Sequence, residues 1–395
     1  MRRGSKSNRL LDFWVGIPVL NLVATLRRRR PRPAGRLRRV GVMCSPALGD
    51  TLLFAGAVQD LRRFLEKDGE ERAELVHFCM PQNLAAAELV AGVDRRVLLD
   101  LKDLRGTVAR LRAEACDLLF DFTSWQRLTA FYSMVSGAKY TVGFSTAGQY
   151  RGRGYDLAVE HRRDRHELDN FRGLLRAFGI PAGLPPTLVV PAVAQQPLAD
   201  AGEVVVFHPW ASGARGWLRE WPLERWVELA AQLVGDDTVF VVTCGPADAE
   251  QTGQLVAALQ AAGLRSRPYV SPDGFVSLAH LLRRSRVVVS VNTGVMHLAA
   301  VLGAPTVSLN GPNHDDRWGP RGECVRGVPA DDGSGGFLHL GFEFDGQPTD
   351  VMGKISVASV LRAVAEVKQC AAVRRAQLGD GAEAMLRGEH ARHLA

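Results

Sequence analysis

Short apolar runs alternate with segments of helical periodicity from residue 37 onward. Seven runs have the length and composition of buried strands: residues 40–44, 74–79, 116–121, 203–208, 238–244, 287–291 and 306–309. Four segments carry apolar side chains at helical spacing instead: one that starts near residue 50, and residues 222–233, 294–302 and 357–367. Repeated strand–helix units predict an α/β fold whose parallel sheets are covered by helices on both faces.

Chain length and prolines divide the sequence into parts. The chain has 395 residues, which is more than one typical core accommodates. Prolines cluster between residues 181 and 197, as is typical of a linker. We therefore predict two Rossmann-like doubly wound domains, residues 36–182 and 201–370, with a linker over residues 183–200 and a charged tail over residues 371–395. Ligands of such domains bind at the carboxyl ends of the strands.

Residues 1–35 form a separate N-terminal segment. Its apolar stretch, residues 10–26, is interrupted by Asp12 and Asn21, and basic residues precede and follow it. The stretch is short for a membrane-spanning helix, which needs about 20 apolar residues, and the four arginines after it do not suit a signal-peptide cleavage site. We predict an amphipathic helix lying on the membrane surface. Docking of this helix on the protein's own surface is the alternative.

The net charge and the cysteines bear on partners and compartment. A formal net charge of +7 and a pI near 9.3 indicate anionic partners such as phospholipid, phosphorylated glycolipid or nucleotide. Six cysteines are scattered without a C-x-x-C pair, which favours free thiols in a reducing compartment. We therefore predict a cytoplasmic protein, peripherally associated with the inner membrane. Nucleic acid is not an expected partner, because no recognisable nucleic-acid motif accompanies the charge.

The clearest candidate binding motif follows the strand predicted at residues 287–291. Asn292, Thr293 and Gly294 lead from this strand into a helix of small residues, and His297 lies one turn further on. Backbone N–H groups at a helix start form, together with the helix dipole, a ready site for a diphosphate. The alternative is an ordinary strand–helix turn with a core histidine.

Two other strand ends carry charged candidates. Arg219 precedes the helix predicted at residues 222–233 and could neutralise a leaving phosphate, whereas a solvated surface arginine is the alternative. Asp50 follows the first strand, either as a helix N-cap or as a general base for an acceptor hydroxyl. Paired aspartates elsewhere are typical of solvated loops, so no metal is expected.

A basic stretch of the first domain is the candidate acceptor surface. Arg127, Arg151 and Arg153 stand there among further cationic and aromatic residues. Arginine makes bidentate contacts with phosphate and carboxylate, which predicts an anionic glycolipid as the acceptor. A solvated basic face is the alternative.

In their order along the chain, these motifs resemble glycosyltransferase family 9, which contains the ADP-heptose:lipopolysaccharide heptosyltransferases. The similarity spans residues 36–367. It rests on Gly49-Asp50, His166-Glu167-Leu168, Arg219-x-Trp221-Pro222, the run from Asn292 to Ala300, the run from Gly303 to Pro312, and Arg317-Trp318-Gly319-Pro320.

The resemblance implies a GT-B fold, with two Rossmann-like domains facing across a cleft, and an inverting transfer that needs neither a metal nor another cofactor. It implies that Asp50 is the catalytic base and that Arg219 faces the donor diphosphate. The implied donor-binding residues are Ser212, Glu250, Asn292, Thr293, Gly294 and His297. The family commonly carries aspartate where this chain has Asn292.

The resulting prediction is a monomeric enzyme that moves a heptose or related sugar from a nucleotide-diphospho-sugar, ADP-heptose in the first instance, to a lipopolysaccharide core or related envelope glycolipid. Two alternatives stay open. One is a catalytically inactive, membrane-associated nucleotide-sugar binder, with which Asn292 is compatible. The other is a nucleotide-sugar epimerase of the same fold.

Overall fold

The computed structural model describes residues 12–44, 47–66, 72–213, 215–339 and 343–392, without the side chains of residues 12 and 378–392. The described residues form two compact units. The first unit extends to Ala192 and includes Ser212, Gly213 and Asp316–Trp318. The second unit comprises Val193–Ala211, Arg215–Asp315 and the described residues from Gly319 onward.

The first unit is built on a six-stranded parallel sheet with strand order β3-β2-β1-β4-β5-β6. Its strands are β1 Arg39–Met43, β2 Glu74–Cys79, β3 Arg95–Leu98, β4 Leu118–Asp121, β5 Tyr140–Ser145 and β6 Leu157–Glu160. Its helices are α1 Ile17–Leu26, α2 Leu48–Leu65, α3 Leu84–Ala87, α4 Leu104–Ala113, α5 Arg127–Val135 and α6 Glu167–Ala177.

The second unit repeats this plan with the strand order β12-β11-β10-β7-β8-β9, again all parallel. Its strands are β7 Glu203–His208, β8 Thr238–Thr243, β9 Ser266–Tyr269, β10 Val287–Val291, β11 Thr306–Leu309 and β12 Val325–Val328. The helices that follow in the chain are α7 Leu223–Leu233, α8 Ala249–Ala261, α9 Val276–Arg284, α10 Gly294–Val301, α11 Asp315–Trp318 and α12 Val357–Arg392.

Both sheets reverse their winding direction in the middle. In the first unit the reversal lies between β1 and β4, and in the second unit it lies between β7 and β10. The loops on either side of such a switch point diverge and leave a crevice at the carboxyl ends of the strands, which is where doubly wound folds bind ligands. The predicted doubly wound α/β fold is therefore confirmed for each unit.

Large aromatic side chains fill the layers between sheet and helices. In the second unit Trp226 on α7 packs on Phe207 of β7, with ring centroids 5.0 Å apart, and on Trp221 at 5.2 Å. The Trp221 indole also donates a hydrogen bond to the Ile355 carbonyl oxygen over 3.0 Å. This close packing fixes the loop after β7, because both ends of that loop are attached to the same core.

The N-terminal helix α1 lies on the surface of the first unit. Its Leu20 is 1% exposed and packs with Val23 against a cluster that includes Met134 and Tyr155. The inner face of α1 is therefore docked on the protein's own surface, as the alternative to the membrane position predicts. Among the described residues, no helix combines the length and the hydropathy that crossing a bilayer requires.

A disulfide joins Cys324 to Cys370, so the expectation of free thiols is wrong for this pair. The two residues are 46 positions apart, and they meet because α12 packs along β12. Sequence spacing alone could not show this contact. Four free cysteines are described: Cys44, Cys79 and Cys116 are buried, and Cys244 is partly buried.

Candidate active site

The predicted donor-binding residues follow three adjacent strands of the second sheet. Glu250 comes after β8, Ser212 and Arg219 come after β7, and the turn that begins at Asn292 comes after β10. Parallel strands end at the same edge of a sheet. All of these residues therefore follow strands that end at one edge, on either side of the switch point.

The turn after β10 leaves the start of α10 accessible to an anion. Thr293 is the N-cap residue with extended backbone, and no side-chain capping bond from it to the helix is found within the described residues. Thr293 and Gly294 are both partly exposed. The first N–H groups of a helix have no intrahelical acceptor, and the helix dipole adds a partial positive charge. This helix start can therefore accept a phosphate.

His297 is a neutral, buried side chain at this site. It is 4% exposed, and burial lowers its pKa to about 4, so the imidazole is uncharged at neutral pH. Among the described residues, its Nδ1 has no hydrogen-bond partner. A neutral imidazole carries one N–H donor. His297 can therefore contribute a hydrogen bond to the donor site, but no positive charge.

Asn292 is held by a hydrogen-bonded group of three polar side chains, those of Ser308, Asn310 and Asp315. Asp315 accepts a hydrogen bond from the Asn310 amide nitrogen. Asn310 Oδ1 in turn accepts from Asn292 Nδ2 over 2.8 Å and from Ser308 Oγ over 2.6 Å. A carboxylate can only accept, so Asp315 fixes the orientation of both amides. Sequence reasoning missed Asn310 and Asp315, although Asn310 directly follows β11 as Asn292 follows β10.

Arg219 lies in the loop after β7. Arg219 ends a 3₁₀ turn, Gly216–Arg219, and is partly exposed. Any side chain at Gly216 would collide with the Ala211 carbonyl oxygen, so the turn requires glycine there. Glu220 Oε1 accepts a hydrogen bond from the Ala211 N–H over 3.2 Å and closes the loop. Burial raises the pKa of Glu220, and that hydrogen bond opposes the shift.

Ser212 and Glu250 are both exposed. Glu250 lies in the first turn of α8. The loop after β7 is tied to this helix, because the Trp210 indole donates to Thr252 Oγ1 over 2.7 Å. The loop that carries Ser212 and Arg219 is thus attached to the helix that carries Glu250.

Asp50 lies in the first turn of α2 and is partly exposed. The N-cap residue of this helix is Ala47, so the alternative of an N-capping aspartate is wrong. Asn83 Nδ2 donates to the hydroxyl of the adjacent Thr51 over 2.9 Å, and this hydroxyl donates to the Ala47 carbonyl oxygen over 3.0 Å. Asn83 and Thr51 are fully buried and hold the helix start that carries Asp50. Sequence reasoning missed both residues.

The three predicted acceptor-binding arginines do not form one exposed patch. Arg127 is 6% exposed, and its guanidinium donates to the carbonyl oxygens of Gln149 and Gly148. Arg153 is exposed and donates to Asn21 Oδ1 on α1 over 2.9 Å. Arg127 therefore holds a loop, and Arg153 is exposed, so that a role in acceptor binding stays a prediction for Arg153.

Arg151 is completely buried and neutralises a buried carboxylate. Its Nη2 lies 3.0 Å from Asp121 Oδ2 and 2.6 Å from the Tyr155 hydroxyl. The Tyr155 hydroxyl also donates to Asp121 over 2.6 Å. The expectation of an exposed acceptor contact is therefore wrong for Arg151, because its charge is used inside the first unit.

Two of the motif segments meet inside the first unit. Arg317 Nη1 lies 2.6 Å from Glu167 Oε2, and His161 Nε2 lies 3.0 Å from the same oxygen. Burial alone would raise the pKa of Glu167, but Arg317 and His161 hold it well below its ordinary range. Because the ion pair is buried, removal of either partner would leave an uncompensated charge. These motif residues stabilise the first unit.

Within the described parts of the chain, no group of three or more histidine, cysteine, aspartate or glutamate side chains is arranged to hold a metal ion.

A doubly wound sheet with a helix start accessible to an anion beside its switch point is the arrangement in which α/β proteins of this class bind phosphate-containing ligands. Residues 107–334, more than half of the chain, match the family model described as glycosyltransferase family 9 (heptosyltransferase). The chain therefore belongs to glycosyltransferase family 9.

Two curated relatives are bacterial enzymes named lipopolysaccharide heptosyltransferase 1. The protein of Pseudomonas aeruginosa is 28% identical over 203 residues, which cover 51% of this chain and 51% of that relative. The protein of Escherichia coli K12 is 28% identical over 214 residues, which cover 51% of this chain and 63% of that relative. The chain thus matches less than two thirds of the length of these relatives.

Solved structures share the fold over a larger part of the chain. The Escherichia coli ADP-heptose lipopolysaccharide heptosyltransferase II has a TM-score of 0.67 at 18% identity, with 84% of this chain and 98% of that chain covered. An Escherichia coli heptosyltransferase with ADP has a TM-score of 0.60 at 18% identity, with 83% and 99% covered. The predicted GT-B fold is thereby confirmed.

Proposed function

We propose that the protein is an inverting glycosyltransferase that moves a heptose or related sugar from a nucleotide-diphospho-sugar to a lipopolysaccharide core or related envelope glycolipid. The main observation behind this proposal is that the start of α10 is accessible to an anion and lies beside the switch point of the second sheet. ADP-heptose is the proposed donor, because relatives are named heptosyltransferases and one similar structure holds ADP-2-deoxy-2-fluoro heptose.

The second unit binds the donor in this proposal. The diphosphate lies at the N–H groups of Gly294 and Val295, with the Thr293 hydroxyl and His297 as further donors. Arg219 carries the positive charge that meets the leaving diphosphate. Such preorganised donors stabilise the charge that develops as the bond breaks, and loss of one typically costs about 10²–10³ in rate.

Asp50 is the proposed general base. It removes the proton from the acceptor hydroxyl as the acceptor oxygen forms a bond to the anomeric carbon. The bond between this carbon and the diphosphate oxygen breaks on the opposite face of the sugar, so the configuration inverts. The bonding electrons leave with the nucleoside diphosphate.

The reaction proceeds without a metal or another cofactor in this proposal. Arg219 and the α10 N–H groups supply the charge stabilisation that a cation would otherwise give. One structure of similar fold, with a TM-score of 0.51, is described as an iron-containing glycosyltransferase, so the point needs a direct test. Transfer by chelator-treated protein should be unchanged, and a loss restored by one metal would contradict this part of the proposal.

The protein acts as a monomer at the cytoplasmic surface of the inner membrane in this proposal. An anionic glycolipid acceptor is embedded in that membrane, and the N-terminal helix on the first unit, together with the net charge of +7, supports a position beside it.

Nucleotide selectivity is the first test. We expect ADP to raise the melting temperature more than UDP, GDP or dTDP, all without added metal. A selective response to another nucleotide would change the donor and keep the reaction class. ADP binding without transfer from ADP-heptose to any lipopolysaccharide core acceptor would instead identify an inactive nucleotide-sugar binder.

Replacement of the base separates binding from chemistry. Asp50→Ala should retain the ADP-induced thermal shift and lose transfer by about 10²–10⁴, the contribution typical of general base catalysis. Asp236→Ala is the matched control, since Asp236 is an exposed carboxylate that precedes β8 at the opposite edge of the second sheet. Undiminished transfer by Asp50→Ala would remove Asp50 from the mechanism.

A further inference from the structure

The outer face of α1 and of the π-helical turn before it, Asp12–Gly16, exposes large apolar side chains. We call this surface the apolar strip. It consists of Phe13, Trp14, Val15, Val19, Leu22 and Leu26. Trp14 is 70% exposed and Leu26 is 77% exposed. A contiguous exposed apolar surface of this kind marks an interaction site, because water contact with it is unfavourable.

The strip cannot turn inward, because α1 is fixed at both its inner face and its end. Leu20 is buried against the first unit. Arg27, directly after the helix, forms an ion pair with Asp156 over 2.6 Å, in which both side chains are nearly buried. The Arg30 N–H donates to the other Asp156 oxygen over 2.9 Å. The inner face of α1 is therefore packed against the first unit, and its outer face stays exposed.

A basic cavity of about 170 Å³ lies beside the C-terminal end of the helix. It is lined by Ala24, Thr25, Arg27, Arg29 and Arg153. Three guanidinium groups and the Asp156 carboxylate paired with Arg27 leave two positive charges at this cavity.

The arginines retain donors for a ligand. Arg29 and Arg153 are exposed. The Arg27 guanidinium donates to protein acceptors on Asp156, Thr141 and Gly154, so Arg29 and Arg153 supply the donors for a ligand. Guanidinium groups bind phosphate by parallel hydrogen bonds and are more weakly hydrated than ammonium groups. The cavity thus has the charge and the donors of a phosphate site.

We propose that this cavity binds the headgroup phosphate of an anionic phospholipid while the apolar strip lies among the adjoining acyl chains. The proposal rests on the membrane position given under the proposed function and names the lipid class that holds the protein there. The cavity and the strip adjoin along the same helix, since Leu26 precedes Arg27 directly. A bilayer of anionic lipid offers phosphate and hydrocarbon side by side, which is the combination that this surface complements.

The anchor would also orient the protein. Because α1 is fixed to the first unit by Leu20 and by the Arg27–Asp156 ion pair, a helix lying in the headgroup region holds that unit at a defined angle to the membrane. A flexible tether would give attachment without orientation.

Vesicle flotation of the purified full-length protein tests the lipid site. The vesicles contain either phosphatidylcholine alone or equal parts of phosphatidylcholine and phosphatidylglycerol. We expect binding to the anionic vesicles to exceed binding to the neutral ones. Arg29→Gln and Arg153→Gln should each weaken anionic binding about fivefold, from the contribution of one arginine near an anionic surface. Arg105→Gln, an exposed arginine on α4, is the matched control and should bind as the wild type does.

The apolar strip has its own variant and its own contradicting outcome. Trp14→Ser with Leu22→Ser should reduce binding to both vesicle types. Because both positions are exposed, this variant should melt at the same temperature as the wild type, which a thermal melt checks. Equal binding of wild type and Arg29→Gln/Arg153→Gln to anionic vesicles would overturn the headgroup site. A dimer in sedimentation without vesicles, lost in Trp14→Ser/Leu22→Ser, would show that a second copy covers the strip.

Flotation needs neither donor nor acceptor, so absence of transferase activity would leave its result standing. Conversely, an intact ADP-induced thermal shift without flotation would overturn the lipid site and leave the proposed function in place.

Discussion

Asp315 shows how a single carboxylate can order the proposed donor site through its neighbours. It accepts from Asn310, Asn310 accepts from Asn292, and Asn292 precedes the turn that opens α10. The negative charge is thereby held two side chains away from the proposed diphosphate. This arrangement keeps an oriented amide at position 292.

Asp315→Asn should weaken ADP binding about tenfold, because an amide at position 315 makes a weaker, uncharged hydrogen bond and can also donate, so that it no longer fixes the orientation of Asn310 and Asn292. Isothermal titration with ADP measures the effect. Asp316→Asn is the matched control, since Asp316 is the adjacent exposed carboxylate. Equal affinity of Asp315→Asn and wild type would show that the amide orientation does not depend on Asp315.

Arg151 belongs to the interior, and its replacement should act on stability. Arg151→Met leaves Asp121 buried without its cation, which typically costs about 3–5 kcal/mol in the free energy of unfolding. Urea denaturation measures the loss. The exposed Arg163, replaced in the same way, should change stability by less than about 0.5 kcal/mol. A similar small change for both variants would contradict the role assigned to the buried pair.

Asp315 and Arg151 show which properties of a residue can be predicted from sequence and which cannot. Strand ends and helix starts are local features, so the sequence could offer Asp50, Arg219 and the turn from Asn292 to His297 as candidates, whereas the roles predicted for them rest on the resemblance to the family. The burial of Arg151 depends on its pairing with Asp121, which lies on β4 and 30 positions earlier in the chain. Asn310 and Asp315 matter only because β11 lies beside β10. No local pattern contains that information.

At the level of secondary structure, the start of α2 depends on a residue from the loop after β2. Asn83 lies there and is hydrogen-bonded to Thr51 and to the Met80 N–H. Since β2 is the neighbour of β1 in the sheet, this loop supports the helix start that carries Asp50.

Asn83→Ala should displace this helix start and lower kcat for transfer about tenfold to a hundredfold, because small misplacements of a catalytic group are costly. The ADP-induced thermal shift should persist, since the proposed donor site lies in the second unit. Gln82→Ala, at the adjacent exposed amide, is the control. A loss of ADP binding in Asn83→Ala would show that the effect is not confined to Asp50.

The sequence predicts seven of the eight inner strands, and it misses β5 as well as the four outermost strands. The structure has β1, β2, β4, β7, β8, β10 and β11 within one or two residues of the predicted runs. Central parallel strands are buried on both faces and so form continuous apolar runs. The outermost strands β3, β6, β9 and β12 are partly exposed and lack this signature. The helix predicted at residues 357–367 continues as α12 to Arg392.

For the molecule as a whole, buried histidines make stability depend on pH. Burial lowers the pKa of His77 to about 3 and those of His208 and His297 to about 4. Unfolded histidines titrate near pKa 6.5. Below that value the unfolded chain binds protons that the folded one excludes, so the stabilising difference is complete above about pH 6.5 and is lost as the pH falls toward 4.

Each histidine should contribute a slope of about 1.4 kcal/mol per pH unit within that window. Urea denaturation at several values from about pH 7.5 to about pH 5 measures the total slope. His77→Leu should make the dependence on pH shallower, because it removes one of the three titrating rings. His77 has no functional role in the proposal, so this variant leaves the proposed site unchanged. A free energy of unfolding that stays constant across this range would contradict the buried neutral state of the three rings.

The disulfide between Cys324 and Cys370 means that the chain can exist in two covalent forms. The bond closes a loop over 46 positions, and closing a loop of this length removes unfolded-state entropy worth about 4 kcal/mol. Thiols trapped with an alkylating reagent at the moment of cell lysis therefore record the redox environment in which the protein resides. A free pair places it in a reducing compartment, as the proposed cytoplasmic site requires, and melting temperatures measured on air-oxidised protein would then overstate its stability in the cell.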